Sequence, residues 1–390
     1  MRILSICGAL AAGEFVASFA PQCSSTWPLL ALVTAAVVLF GYGLMWRTWP
    51  FVATFFAGMA LFMFAATDAE LRYRDRPWMR GRKFEMREER NSSSGGVAAV
   101  RCDLLRRVSI GLDRDAEAVA LNRAILLGER SRLPRRMKRV FVESGTMHVF
   151  AISGLHVMAV AKVLTMLLAM LFIPRRVVGA LAIPLLWGYV CLIGWSPSAV
   201  RAAMMTSFCF LAPLFWRRPD GVRAWALTFC IVHVSNPRMI TDVGCALSFV
   251  VMLAIILAGT FTRSLGGWRL TVLMTFVAWA AGVPISAHVF GRVTPGALLA
   301  NLVLIGVVGL TVVFGVAGVL ASFVSWTLAA HLNNLSALCT HAMIGVSEAV
   351  SRLEWSNFEV GQWTLLQCAE WYALFALVVV LIRLRRARSL

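Results

Sequence analysis

Apolar residues in this chain fall into long, nearly unbroken windows at 3–20, 28–46, 49–66, 148–172, 178–195, 197–216, 222–235, 239–260, 270–290, 295–325 and 369–384. A hydrocarbon core about 30 Å thick is crossed by about 20 helical residues rising 1.5 Å each. Most of the windows meet that length. The pattern therefore predicts an all-α integral membrane protein, a polytopic bundle of about ten transmembrane helices with one short soluble insertion. Two windows depart from the norm. Residues 222–235 are short for a crossing, and 295–325 suit either one steeply tilted helix or two helices broken near Gly306, Gly309 or Gly315.

The insertion lies at 67–147, where 19 Lys and Arg stand against 12 Asp and Glu and a polar tract runs Asn91-Ser92-Ser93-Ser94-Gly95-Gly96. Within it, Ala116 to Leu127 reads as a helix. A second, basic helix follows near Leu133 to Glu143, with Ser131 as its cap and Pro134 in its first turn. Val140, Phe141 and Val142 give that helix an apolar side suited to a membrane surface. Three regions follow: N-terminal transmembrane helices over 1–66, a basic extracytoplasmic segment with amphipathic helices over 67–147, and a transmembrane domain over 148–390.

Basic loops recur after every second window, at Pro174-Arg175-Arg176, at Arg217-Arg218 and between Arg263 and Arg269, and the tail carries Arg383, Arg385, Arg386 and Arg388. The positive-inside rule assigns these to the cytoplasm, and 67–147 and the turn around Ser196 to the outside. A tail on the inside requires 295–325 to cross an even number of times. Glu14 interrupts the first window and another window soon follows, so it reads as a retained helix instead of a cleaved leader.

Composition agrees with the bilayer class. Hydrophobic residues make up 59% and charged residues 14%, against about 45–50% and about 25% in soluble domains. The formal net charge of +18 suits topology signals, anionic lipid or a polyanionic cargo. Nine cysteines form no Cys-x-x-Cys pair or zinc-type cluster, and Cys23 with Cys102 is the one pairing an oxidising face would permit. Neither metal nor cofactor is expected, and no Walker-type phosphate loop appears.

The polar residues at membrane depth are the candidate chemistry. Gly145 to Val157 places His148, Ser153, Gly154 and His156 at the start of an apolar helix. On one continuous helix the two His would lie about 12 Å apart along the axis, too far to share a metal. Ser153 and His156, three apart, would be neighbours. They suit close helix packing with ordinary hydrogen bonds, a polar path, or a Ser–His catalytic pair, although no acid lies nearby in sequence to complete a triad. Arg201 follows Ser196-Pro197-Ser198. It is placed either to snorkel to the interface or to present a cation at a pore mouth. Asp242, His288 and Asn301 complete the polar set.

Several blocks resemble the ComEC family of bacterial competence proteins. Ile125-Leu126-Leu127-Gly128-Glu129-Arg130-Ser131 resembles its leucine-rich "LLGDRS" segment, and His148 to Val157 its "HLLAISGLHV" signature. Trp195 to Met204 is similar to "SPSVLRAALM", and Asp242 to Phe249 to "DPGFQLSF", with Cys245-Ala246 where the family has Phe-Gln. Pro284, Phe290-Gly291-Arg292 and Asn301 follow in the family's order. The resemblance implies a bacterial inner-membrane, multi-pass channel that passes single-stranded DNA during natural transformation, and not an enzyme. The implied cargo path runs past His148, Ser153, Gly154, His156, Ser196, Arg201, Asp242 and Asn301. The implied partners are single-stranded DNA, membrane lipids, a helicase or DNA-receptor protein, a separate nuclease and a second copy of the chain. The family's oligonucleotide-binding-type domain is expected to be reduced to 67–100, and its metallo-β-lactamase-like domain to be missing after residue 384. The rival readings are a transporter of another anionic cargo and an intramembrane serine hydrolase using Ser153.

Overall fold

A computed structural model describes residues 96–149, 153–236, 239, 241–262 and 266–388. The first three windows, Cys23 and the Asn91–Gly95 part of the polar tract lie outside the described residues. The described chain is almost wholly helical: α1 (Gly96–Arg107), α2 (Ala116–Leu127), α3 (Arg135–Glu143), α4 (Gly154–Met170), α5 (Arg175–Leu192), α6 (Pro197–Leu211), α7 (Gly221–Ser235), α8 (Val243–Phe261), α9 (Gly267–Phe290), β1 (Arg292–Val293), α10 (Gly296–Ala321), α11 (Trp326–Ser351), β2 (Phe358–Glu359) and α12 (Leu365–Arg388). Among the described residues, four segments are long and apolar enough to cross a membrane: Pro197–Phe215, Val243–Thr260, Gly267–Phe290 and Gly296–Ala321. Shorter apolar helices occupy Gly154–Met170, Arg176–Leu192, Gly221–Ser235 and Leu365–Val379.

The described residues fall into two compact units. One holds Gly221–Val293 with the described part of Glu359–Leu390. Here α8 packs on α7 and α9, and α12 on α9. Indole and phenol groups tie α12 down, because Trp371 Nε1 donates to Ala280 O at 3.0 Å and Tyr372 OH to Ala281 O at 3.0 Å. Those carbonyls lie within the turns upstream of Pro284, whose ring has no N–H to return a helical bond.

The other unit holds the described parts of Pro77–Asp220 and Thr294–Phe358. Its frame is the hairpin of α10 and α11, against which α2, α3 and α4 pack, with α5 and α6 beyond α4. The 295–325 window is thus a single helix, neither broken nor re-entrant. Gly315 serves close approach, since a Cβ there would collide with Leu126 Cδ1 of α2. The chain turns back along α10 as α11, a helix that the hydropathy pattern overlooked. It buries Asn333, Ser336, Thr340 and Ser347 at helical spacing, so its interior face is polar.

The helices expected at 116–127 and near 133–143 both form, and both help build the bundle. Leu121, Ala124, Ile125 and Leu127 of α2, with Met137 and Phe141 of α3, are in the core. Two details differ from the sequence reading. Pro134, not Ser131, occupies the cap position of α3, and Phe141 points into protein instead of toward a membrane surface.

Candidate functional site

The leucine-rich block at 125–131 ends α2 in a defined way. Gly128 takes the left-handed conformation at φ 72° that a helix C-cap favours. The last carbonyls of α2, which have no helical donors, are met by side chains from elsewhere: Tyr189 OH donates to Leu126 O at 3.1 Å and an Arg101 N–H to Leu127 O at 3.3 Å. Glu129 then draws in Arg132 at 3.2 Å and Arg123 at 4.0 Å. This fixes the position of Arg130, whose charge acts on His156.

His156 is 1% exposed. It sits at the third position of α4 and reaches back to the cap residue in a capping-box arrangement, with a histidine where Glu or Gln is usual. The Ser153 backbone N–H donates to His156 Nδ1 at 3.3 Å, and Ser153 Oγ lies 3.1 Å from the same nitrogen. A backbone N–H can only donate, so Nδ1 is an acceptor and a neutral ring carries its proton on Nε2. Nε2 is buried and has no hydrogen-bond partner among the described residues.

His148 is not on α4. It lies in the short 3-10 turn Met147–Val149, so the spacing expected of one continuous helix does not apply. Its ring is exposed, its Nδ1 is 3.3 Å from Gly145 O, and it faces the Asn301 side chain of α10. Gly154 is the first residue of α4. Ser196 caps α6 by position and meets Ser198 Oγ at 3.2 Å.

Arg201 is 4% exposed and bonded within the protein. The guanidinium does not snorkel to the interface, nor does it stand outward at a pore mouth. An Arg at bilayer depth costs about 2.5–3.5 kcal/mol on insertion scales, which an interaction within the protein offsets in part. Helix α6 packs on α4 and α5, and further along it Thr206 Oγ1 donates to Met158 Sδ of α4 at 3.4 Å.

Seven of the eight candidates therefore belong to one unit. Asp242 belongs to the other, where it caps α8 by accepting from Cys245 N–H at 2.6 Å, a structural task. His288, also there, donates from Nδ1 to Trp363 O at 2.6 Å. Sequence reasoning missed Arg130 as a site residue. The signal was available in its place next to Glu129 in a recognisable block, but nothing local joined it to His156. Among the described residues no three His, Cys, Asp or Glu side chains converge as a metal site requires.

The class defined by this architecture is a helical, membrane-type bundle that encloses an arginine. Residues 125–385 match the family model for competence proteins, and the chain belongs to that family. It is 28% identical over 178 residues to ComE operon protein 3 of Bacillus subtilis (strain 168), a match covering 45% of this chain and 23% of the relative. It is 29% identical over 211 residues to an uncharacterized protein of Aquifex aeolicus (strain VF5), covering 54% and 50%. It is 27% identical over 166 residues to the uncharacterized protein YcaI of Escherichia coli (strain K12), covering 40% and 22%. The matches span half or less of each relative's own length. No solved structure matches.

Proposed function

We propose that this chain is the membrane-embedded conduit of a DNA-uptake system, passing single-stranded DNA through the bacterial inner membrane during natural transformation. It acts as a channel and not an enzyme, with about ten crossings, of which α10 and α11 supply a pair. A helicase or DNA-receptor protein and a separate nuclease are its partners, and neighbouring copies of the chain complete the assembly. The observation that carries this reading is Arg201, enclosed in a competence-family bundle. A polyanion is the cargo for which a cation is worth holding in an apolar bundle.

The test is Arg201→Gln at matched protein levels. Each phosphate contact on a single strand contributes about −0.7 to the slope of log affinity against log salt. The variant should take up less DNA, and its binding slope should flatten by about that amount. A purely structural arginine would instead lower expression and leave the slope of the surviving protein unchanged.

The Ser153 Oγ to His156 Nδ1 approach of 3.1 Å favours a second reading as an intramembrane hydrolase. Reaction of Ser153 with a fluorophosphonate, lost in Ser153→Ala, would support it. Uptake that is indifferent to that trap supports the conduit. A carrier of small anions would retain no labelled oligonucleotide at low salt.

A further inference from the structure

The buried ring of His156 has one nitrogen accounted for and one not. Because Nδ1 accepts from the Ser153 backbone N–H, the unpartnered Nε2 is an N–H donor enclosed in protein. An unmet buried donor is costly, so a native bundle keeps one only with reason. Its surroundings are those of an anion and not of a carbonyl partner. Arg130 and His148 both act on the ring through space. Both are exposed, so the cluster runs from an accessible edge inward to an enclosed donor.

We propose that His156 Nε2–H, with Arg130 at the entrance, forms a seat for a phosphate oxyanion, and that its occupant is the phosphodiester group of the translocating strand. The identity of that occupant rests on the DNA-conduit reading; the anion seat does not. Phosphate oxygens are acceptors only, which matches a site offering an N–H donor and a guanidinium. The seat reads charge and not sequence, as a conduit for any strand must. Enclosure strengthens each such contact over its value in water.

The full chain in neutral-lipid nanodiscs allows two arms. In the first, inorganic phosphate should raise the melting temperature of the wild type, should fail to do so for His156→Phe, and should act partly on His156→Gln, which keeps an N–H donor. In the second, a twelve-residue oligothymidylate should bind about tenfold more weakly to His156→Phe than to the wild type, the weight of one good hydrogen bond. The uncharged methylphosphonate oligomer of the same length should bind both proteins equally. Arg130→Gln should reproduce this selectivity.

Equal phosphate stabilisation of wild type and His156→Phe would overturn the seat. So would a loss that is the same for charged and uncharged oligomers, which would mean a repacked helix end with only water at Nε2. A His156-dependent phosphate shift without oligonucleotide binding would keep the seat and sink its assignment to DNA. Replacing a third of the neutral lipid with phosphatidylglycerol then shows whether a lipid phosphate competes.

Discussion

One carboxylate holds two helices of the larger frame. Asp115 Oδ1 accepts from Ala118 N–H at 2.9 Å and so caps α2, while Oδ2 meets His341 Nε2 of α11 at 2.5 Å. Burial alone would raise the Asp115 pKa, but the Ala118 and His341 bonds and the histidine's charge outweigh it and hold the carboxyl below its ordinary 3.8. A group depressed in the folded state contributes stability above its unfolded pKa and loses it as pH falls through the folded value. The Asp115 contribution should thus be complete at neutral pH and fade below about pH 4. Asp115→Ala should cost about 1 kcal/mol, the usual weight of an N-cap, and Asp115→Asn distinctly less. Thermal melts of both variants from pH 7 to pH 3 check this. A gap between wild type and Asp115→Ala that widens on acidification would show that the carboxylate is not what matters.

Among the helices, α10 and α11 show what a hydropathy pattern carries and what it omits. The windows from 148 onward did locate helices α4 to α10 and α12, because a bilayer-crossing or core helix writes itself as an apolar run. The missed α11 carries His331, Asn333, Asn334, Ser336, Thr340 and His341. Its buried face is satisfied by tertiary bonds such as Ser336 Oγ to Asn122 Oδ1 at 2.9 Å and Asn333 Nδ2 to Arg107 O at 2.8 Å. No local signal announces such partners, which lie more than 200 residues away. The same holds for the site: Ser153 and His156, three apart, were legible as neighbours, whereas Arg130 acts on His156 only through the fold. Glycine in α10 was legible in identity but not in purpose. A Cβ at Gly315 strikes Leu126, whereas Gly306 and Gly309 have nothing within 4 Å. Gly315→Ala should therefore destabilise by about 1–3 kcal/mol through overpacking, while Gly306→Ala should be neutral or stabilising by up to about 1 kcal/mol. Denaturation of the two variants in one detergent separates them, and equal melting temperatures would mean that α2 does not press on α10 as described.

At the scale of the whole unit, the described part of the insertion, residues 96–147, is packed on the bundle and follows the hairpin from one end toward the other. Arg107 donates to Ser322 Oγ at 2.8 Å and lies over the Phe323 ring at 4.0 Å, by the hairpin turn. At the opposite end Thr146 Oγ1 meets Ser347 Oγ at 3.3 Å, and a Cβ on Gly145 would strike Thr294. Asn333, which binds the Arg107 carbonyl, and Ser347 are 14 residues or about 21 Å apart on α11. Between them Asp113, Arg114 and Glu117 are exposed near His341. Charged groups at that depth do not face acyl chains. In the proposed topology α10, about 39 Å long, crosses the bilayer and α11 returns, which supplies the even parity that an inner tail requires. Water must then border the α2 side of α11 well below the membrane surface, as a conduit would need. Single cysteines at Arg292, Val324 and Glu117 in a cysteine-free background decide the matter. Positions 292 and 324 should react with a membrane-impermeant maleimide from opposite sides, and position 117 should react with a charged methanethiosulfonate despite lying midway. Labelling of 292 and 324 from the same side would lay the hairpin along the membrane surface and remove the crossing. Opposite-side labelling with position 117 silent to charged reagents would close the aqueous face and, with it, the route past α2.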